Sequence, residues 1–279
     1  MTKAALLFLL TLAATAQTSM DLLKPTLDVG IIVGDIDKAK AFYGTTLGLK
    51  LAGTLPMPDD NTMYRYQAGT TTLKVRTAPK PAKYSGAVRD AIGFRLLTLY
   101  VDDLPGIVKR WTDAGNAAPT MMADGKFTFI ADPDGNQIEL VTAAAGVDRI
   151  AIGLTVADVE RSRKFYREIL ALHEQEPQKL ALLNGESKYT FLAGTTQIKF
   201  WKGTADHLPK HTGNITDAIG FRYFTFIVKD VDAAAAQLKD RGAKIVIAPV
   251  DFGKIARIMM IEDPDGNWIE LAAMLAKAR

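Results

Sequence analysis

One stretch is written twice in this chain, and it limits the possible folds more than any other feature. Asp132-Pro133-Asp134-Gly135-Asn136-Gln137-Ile138-Glu139-Leu140 returns as Asp263-Pro264-Asp265-Gly266-Asn267-Trp268-Ile269-Glu270-Leu271, with Gln137 against Trp268 as the single difference. Asp-Pro-Asp-Gly is turn chemistry: proline presets φ, aspartate accepts from nearby amides and glycine takes positive φ. An apolar run precedes each turn, Phe127–Ile130 in one copy and Ile258–Ile261 in the other. The pattern predicts a hairpin whose second strand alternates apolar, charged, apolar. Glu139 and Glu270 then face away from the side on which Ile138, Leu140, Ile269 and Leu271 pack.

The repetition extends along the whole chain, and such periods determine the architecture. Leu27–Val33 and Ile150–Val156 read as apolar strands, followed by helices that Asp35 and Asp158 cap. Two further strands follow in each copy, then the shared Asp-Ala-Ile-Gly-Phe-Arg (Asp90–Arg95, Asp217–Arg222). Another strand, a helix capped by Asp103 or Asp230, and the opening hairpin complete each half. This is an α+β chain of four βαβββ modules in two units, residues 27–142 and 147–273, joined near Ala143–Gly146. Residues 17–26 form a lead-in and 274–279 a tail.

The chain has 279 residues, 48% of them hydrophobic, and a formal charge of +3. With no basic cluster, that small excess gives no reason to expect nucleic acid as a partner. Met1-Thr2-Lys3, the apolar run Ala4–Ala14 and the small residues Ala14-Thr15-Ala16 read as a signal peptide over 1–16. The expectation is export to the periplasm or outside the cell after cleavage near Ala16, with no membrane span in the mature chain. The absence of cysteine suits an oxidising compartment. It also leaves no thiol nucleophile, and there is no Gly-x-Ser-x-Gly elbow and no phosphate-cradling glycine loop.

Val29–Ile36 with Ala41–Tyr43, Phe226–Val231 and the two Asp-Pro-Asp-Gly-Asn-x-Ile-Glu-Leu turns together resemble the vicinal oxygen chelate superfamily. That group includes glyoxalase I, extradiol dioxygenases and bleomycin-resistance proteins. The resemblance implies that paired modules curl into two cupped mixed β-sheets with helices on the outer face. It also implies a divalent metal (Zn, Ni, Mn or Fe) in the cup, held by His or Glu and acting as a Lewis acid on substrate oxygens. Carried over by position, the ligand places fall on Asp28, Lys74, Leu96 and Glu139 in the first unit, and on Ala151, Lys199, Tyr223 and Glu270 in the second. Only the closing glutamates match the family's pattern.

Lys, Leu, Ala and Tyr do not build a transition-metal site. The reading is therefore that no cofactor binds, and that Lys74–Glu139 and Lys199–Glu270 are structural ion pairs in the old metal position. If the units exchange modules, the pairs cross to Lys74–Glu270 and Lys199–Glu139. An unpaired buried carboxylate would be costly. Strand alternation places Asp28, Arg76, Thr98, Tyr100 and Gln137 in a polar first cup. Thr155, Trp201, Tyr223, Thr225 and Trp268 go to an aromatic second cup. Of these, Arg76, Thr98, Tyr100, Gln137, Trp201, Tyr223, Thr225 and Trp268 are candidate substrate contacts. His207 and His211 flank Pro209, which argues against a shared helical face.

Two function classes compete. One is a metal-free protein that binds a small molecule, as monomer or homodimer. The other is a lyase, isomerase or dioxygenase resembling glyoxalase I or the extradiol dioxygenases, with a metal on Asp28 and Glu139 or with Glu139 or Glu270 as the catalytic acid–base group.

Overall fold

A computed structural model describes residues 20–83, 87–143, 150–210 and 213–275. The expected signal peptide, most of the joint and His211 lie outside these residues. The first module runs β1 (Asp28–Ile32), α1 (Ile36–Lys40), β2 (Lys50–Pro56), β3 (Thr62–Ala68) and β4 (Thr71–Arg76). The second holds β5 (Gly93–Val101), α2 (Leu104–Asp113), β6 (Phe127–Ala131) and β7 (Gln137–Thr142). The third holds β8 (Ile150–Val156), α3 (Val159–Lys164), β9 (His173–Lys179), β10 (Ser187–Ala193) and β11 (Thr196–Lys202). The fourth holds β12 (Gly220–Ile227), α4 (Val231–Asp240), β13 (Lys244–Phe252), β14 (Ala256–Glu262) and β15 (Trp268–Met274).

Each helix begins where its aspartate predicts. The Asp35, Asp103, Asp158 and Asp230 side chains accept backbone N–H groups of the first turn. α1 and α3 continue into π-helical turns, Ala41–Thr46 and Phe165–Ile169, which bury Phe42, Tyr43, Phe165 and Tyr166. The second module has three strands where the other modules have four. Its Asn116–Pro119 run lacks the β-branched residues of Ile245-Val246-Ile247 in β13, and Ala123 and Asp124 adopt positive φ just before β6.

The strands form two mixed sheets, and each sheet draws on both units. The eight-stranded sheet runs β13-β14-β15-β12-β1-β4-β3-β2, so the first module pairs with the fourth. The seven-stranded sheet runs β6-β7-β5-β8-β11-β10-β9, so the second pairs with the third. The antiparallel seams are β1 against β12 and β5 against β8. Grouping the cup residues unit by unit is corrected here: Asp28 and Arg76 share a sheet with Tyr223, Thr225 and Trp268. Thr98, Tyr100 and Gln137 share the other with Thr155 and Trp201.

While the sheets cross between units, the turns hold each unit to itself. Tyr43 Oη donates to Asp132 at 2.9 Å and Tyr166 Oη donates to Asp263 at 2.9 Å. Asp132 Oδ1 also accepts from the amides of Asp134 and Asn136, which closes the turn around Gly135 at φ 91°. The lead-in is docked as well: Met20 is buried, Leu23 N–H donates to Ile227 O, and Pro25 O accepts from Thr195 N–H. One continuous core contains residues of both sheets, with Phe94 and Phe221 rings 4.9 Å apart. Among the described residues no helix is long and apolar enough to cross a membrane.

Candidate functional site

Two lysine–threonine–glutamate triads stand at the floors of the two sheets. In the eight-stranded sheet, Lys74 Nζ lies 2.6 Å from Glu270 Oε2 and donates to Thr225 Oγ1 at 2.8 Å. Thr225 Oγ1 in turn donates to Glu270 Oε2 at 2.6 Å. In the seven-stranded sheet, Lys199 Nζ lies 3.0 Å from Glu139 Oε2 and 2.7 Å from Thr98 Oγ1. Thr98 donates to Glu139 Oε2 at 2.6 Å. The pairs are the crossed ones, Lys74 with Glu270 and Lys199 with Glu139, and the within-unit pairing is corrected. The reason is topological, since β4 and β15 reach one sheet only through the β1–β12 seam. Thr98 and Thr225, expected as substrate contacts, are fully buried partners inside the triads.

The four family positions regroup accordingly. Asp28, Lys74, Tyr223 and Glu270 surround one floor, while Leu96, Glu139, Ala151 and Lys199 belong to the other. Asp28 and Glu139 therefore stand in different sheets, and the expected alternative of one metal shared by them is corrected; the carboxylate that shares the cavity of Asp28 is Glu270. Asp28 itself accepts from Lys24 Nζ and from Thr72 N–H. Among the described residues no group of three or more His, Asp or Glu side chains converges as a metal would require. An ammonium group is a donor and a cation, so this residue set does not fit a divalent ion.

Electrostatics hold the Lys74 triad charged. Burial works against the ammonium, but the field of Glu270, reinforced by Tyr223 and Asp28, outweighs it and lifts Lys74 above its ordinary range. Lys74 Nζ also sits 5.2 Å from the centre of the Tyr223 ring. Burial pushes the Tyr223 hydroxyl up to about 12, with Glu270 and Asp28 adding to it and Lys74 and Arg76 opposing. Arg76 is tied to Asp59 and to the Thr77 carbonyl.

The two floors are covered differently among the described residues. Above Lys74 and Glu270 lies a cavity of about 210 Å³ whose walls come from both ends of the sheet, Leu55 and Met63 on one side and Phe252 and Ile258 on the other. The sheet must curl for these strands to face each other. Tyr223 borders this cavity, while Trp268 packs behind it against Tyr223 and Met260 with its indole N–H buried and unpaired. The corresponding space over the seven-stranded sheet is packed with Leu96, Trp201, Leu183, Leu180, Phe129 and Val88. Trp201 Nε1 donates to Thr155 Oγ1 at 3.0 Å, and Thr155 donates to the Val88 carbonyl. Burial and the nearby Lys199 charge lower Lys188 on the same sheet. Gln137 is half-exposed and reaches only toward the Gly135 carbonyl at 3.5 Å, and Tyr100 borders a separate cleft near Leu47 and Arg110.

Glycines make room for the aromatic side chains. A Cβ on Gly30 would fall 1.8 Å from the Tyr223 ring, and one on Gly153 would fall 2.8 Å from Trp201. Sequence reasoning missed Arg65, Met57 and Met63 as cavity residues. Alternation along β3 places Met63 and Arg65 on the face of Lys74, and that was the available signal.

A profile of the Glyoxalase/Bleomycin resistance protein/Dioxygenase superfamily matches residues 26–140 and 146–271. The chain belongs to that superfamily. Among curated proteins it is similar to the lactoylglutathione lyase of Schizosaccharomyces pombe, 24% identical over 93% of this chain and 99% of that one. It is also similar to a probable chloroplastic lactoylglutathione lyase of Arabidopsis thaliana, 26% identical over 91% of this chain and 76% of the relative. Among solved structures, glyoxalase I of Zea mays matches with a TM-score of 0.71 at 20% identity, covering 91% of this chain and 92% of that one. At that identity the likeness speaks for the fold.

Proposed function

We propose that the protein is a receptor for a small organic molecule, bound in the cavity of the eight-stranded sheet without the family's metal. One observation carries this reading: the Lys74 ammonium bridges Glu270 and Thr225 at the position where the resemblance places a metal ligand. A divalent ion beside that ammonium would meet a like charge in a buried setting. The cavity above it is mostly apolar with polar groups at its base, the usual composition of a small-ligand site. The seven-stranded sheet, with its cup filled by its own side chains, has a structural role in this reading.

The competing reading, a metal-dependent lyase, draws on what the relatives are called. Elemental analysis of the purified full-length protein separates the two. Substoichiometric transition metal, together with a thermal shift on adding small apolar compounds and none on adding Zn²⁺ or Ni²⁺, supports the receptor. One tightly held metal per chain would overturn it. Export is part of the same proposal: a mature protein beginning at Gln17 supports it, and a cytoplasmic form retaining Met1 counts against it.

A further inference from the structure

Of the four charged side chains that line the open cavity, Asp28, Arg65, Lys74 and Glu270, one makes no ion pair among the described residues. Lys74 is matched by Glu270, Asp28 by Lys24 and Arg76 by Asp59. Arg65 also lines the cavity, and its guanidinium makes no hydrogen bond or ion pair among the described residues. Its Nε is buried and unpartnered. Arg65 stands directly across from Lys74 in the β3–β4 register, and its guanidinium extends toward β2, with Nη2 3.0 Å from where a Cβ on Gly53 would sit. Like charges paired across strands are unfavourable, and a buried donor without an acceptor adds to the cost. An anion entering the cavity would relieve both.

The filled sheet supplies the internal comparison. There the residue across from Lys199 is Thr190, which is neutral. The position across from the floor lysine is thus charged in the sheet that has a cavity and neutral in the other, where the further cation, Lys188, stands two residues before Thr190. A guanidinium presents a planar fork that fits a carboxylate with two parallel hydrogen bonds. The remaining walls are apolar and include Met57, Met63, Met260 and Met274, flexible thioethers that adapt to ligand shape. The volume of about 210 Å³ suits a ligand no larger than one ring or a medium alkyl chain.

We propose that the cavity takes a small monocarboxylate with an apolar body, its carboxylate seated on Arg65. This rests on the reading that the eight-stranded cup is a ligand site. Octanoate, octan-1-ol and octylammonium share a chain and differ in the head group, so titrating each into the full-length protein by calorimetry tests the charge. Octanoate is expected to bind about ten- to a hundredfold more tightly than the alcohol, the scale of a charge-assisted hydrogen bond, and the ammonium most weakly. Arg65→Gln should erase the preference for octanoate and leave the affinity for the alcohol unchanged, while Arg65→Lys retains part of the preference. The unchanged alcohol affinity reports that the variant cavity is folded. Equal binding of octanoate and octanol to the native protein, or a preference that survives Arg65→Gln, overturns the monocarboxylate assignment while leaving the receptor standing. Failure of all three compounds to bind overturns both.

Discussion

Lys74 and Glu270 are 196 residues apart in the chain and 2.6 Å apart in space. Their contact joins the first module to the fourth, and Thr225 completes it by accepting from one and donating to the other. A buried ion pair of this kind does little for net stability, but losing one partner strands the other charge.

Lys74→Met is therefore expected to destabilise the protein by about 3–5 kcal/mol, because it leaves Glu270 buried without a counter-ion. Adding Glu270→Leu should recover most of the loss. Chemical denaturation of the single and double variants measures this. A double variant as unstable as the single one would mean that the pair does more than cancel charge. The Lys74 pair should hold at neutral pH: an amine whose folded pKa is raised keeps its stabilisation below the ordinary value of 10.5 and loses it as pH rises through the higher folded value.

Lys74→Glu tests the substitution of ammonium for metal from the opposite side. The introduced carboxylate would join Glu270 and Asp28 around the same floor, supplying the oxygen donors that the native set lacks. The variant is expected to be destabilised on its own and to gain melting temperature on adding Mn²⁺ or Ca²⁺, while the native protein shows no such gain. A metal-independent melting temperature in the variant would show that the floor is too rigid or too wide to close on an ion.

Gly30→Ala should damage the open cavity selectively. β1 is central in its sheet, so the Tyr223 ring, 1.8 Å from the added Cβ, must leave its position. Overpacking of this kind costs about 1–3 kcal/mol. In a Tyr223→Ala background the same change should cost little, and the change in melting temperature across the four-protein cycle reads the coupling.

Asp265 gives the pH dependence its direction. Burial, with the charge of Asp263 added, pushes its carboxyl up to about 6, against the Ala157 amide, Arg161 and Lys210. An acid with a raised folded pKa binds its proton more tightly folded than unfolded. Its contribution to stability is largest below the ordinary value of 3.8 and falls as pH rises toward about 6. Asp265→Asn should then gain on the native protein, in melting temperature, as pH goes from about 4 to about 6.5. A difference independent of pH in that interval would refute the assignment.

Much of the site is legible in the order of the residues alone. The Ile-Glu-Leu alternation puts Glu139 and Glu270 on the face opposite Ile138 and Ile269, and both isoleucines are fully buried. The two aspartate turns and the four helix caps follow from local chemistry, and a lysine at a floor position in each unit follows from the family resemblance. Arg65 escapes such a reading because an arginine on a polar-looking strand, Thr62-Met63-Tyr64-Arg65, carries no mark of burial until the far end of the sheet curls over it. The difference between the cups is equally hidden: Trp201 reads as a ligand wall, yet Leu180, Leu183 and Val88 arrive from distant loops to cover it.

The sequence by itself determined the modules and their turns, because those depend on neighbours a few places away. Only the tertiary structure decided which lysine meets which glutamate, which floor stays open and which cation is left over. A strand carries the same hydrogen-bonding edge whichever partner it takes. The choice between β12 and a nearer strand for β1 is made by packing over the whole chain, and nothing in the local residues records it.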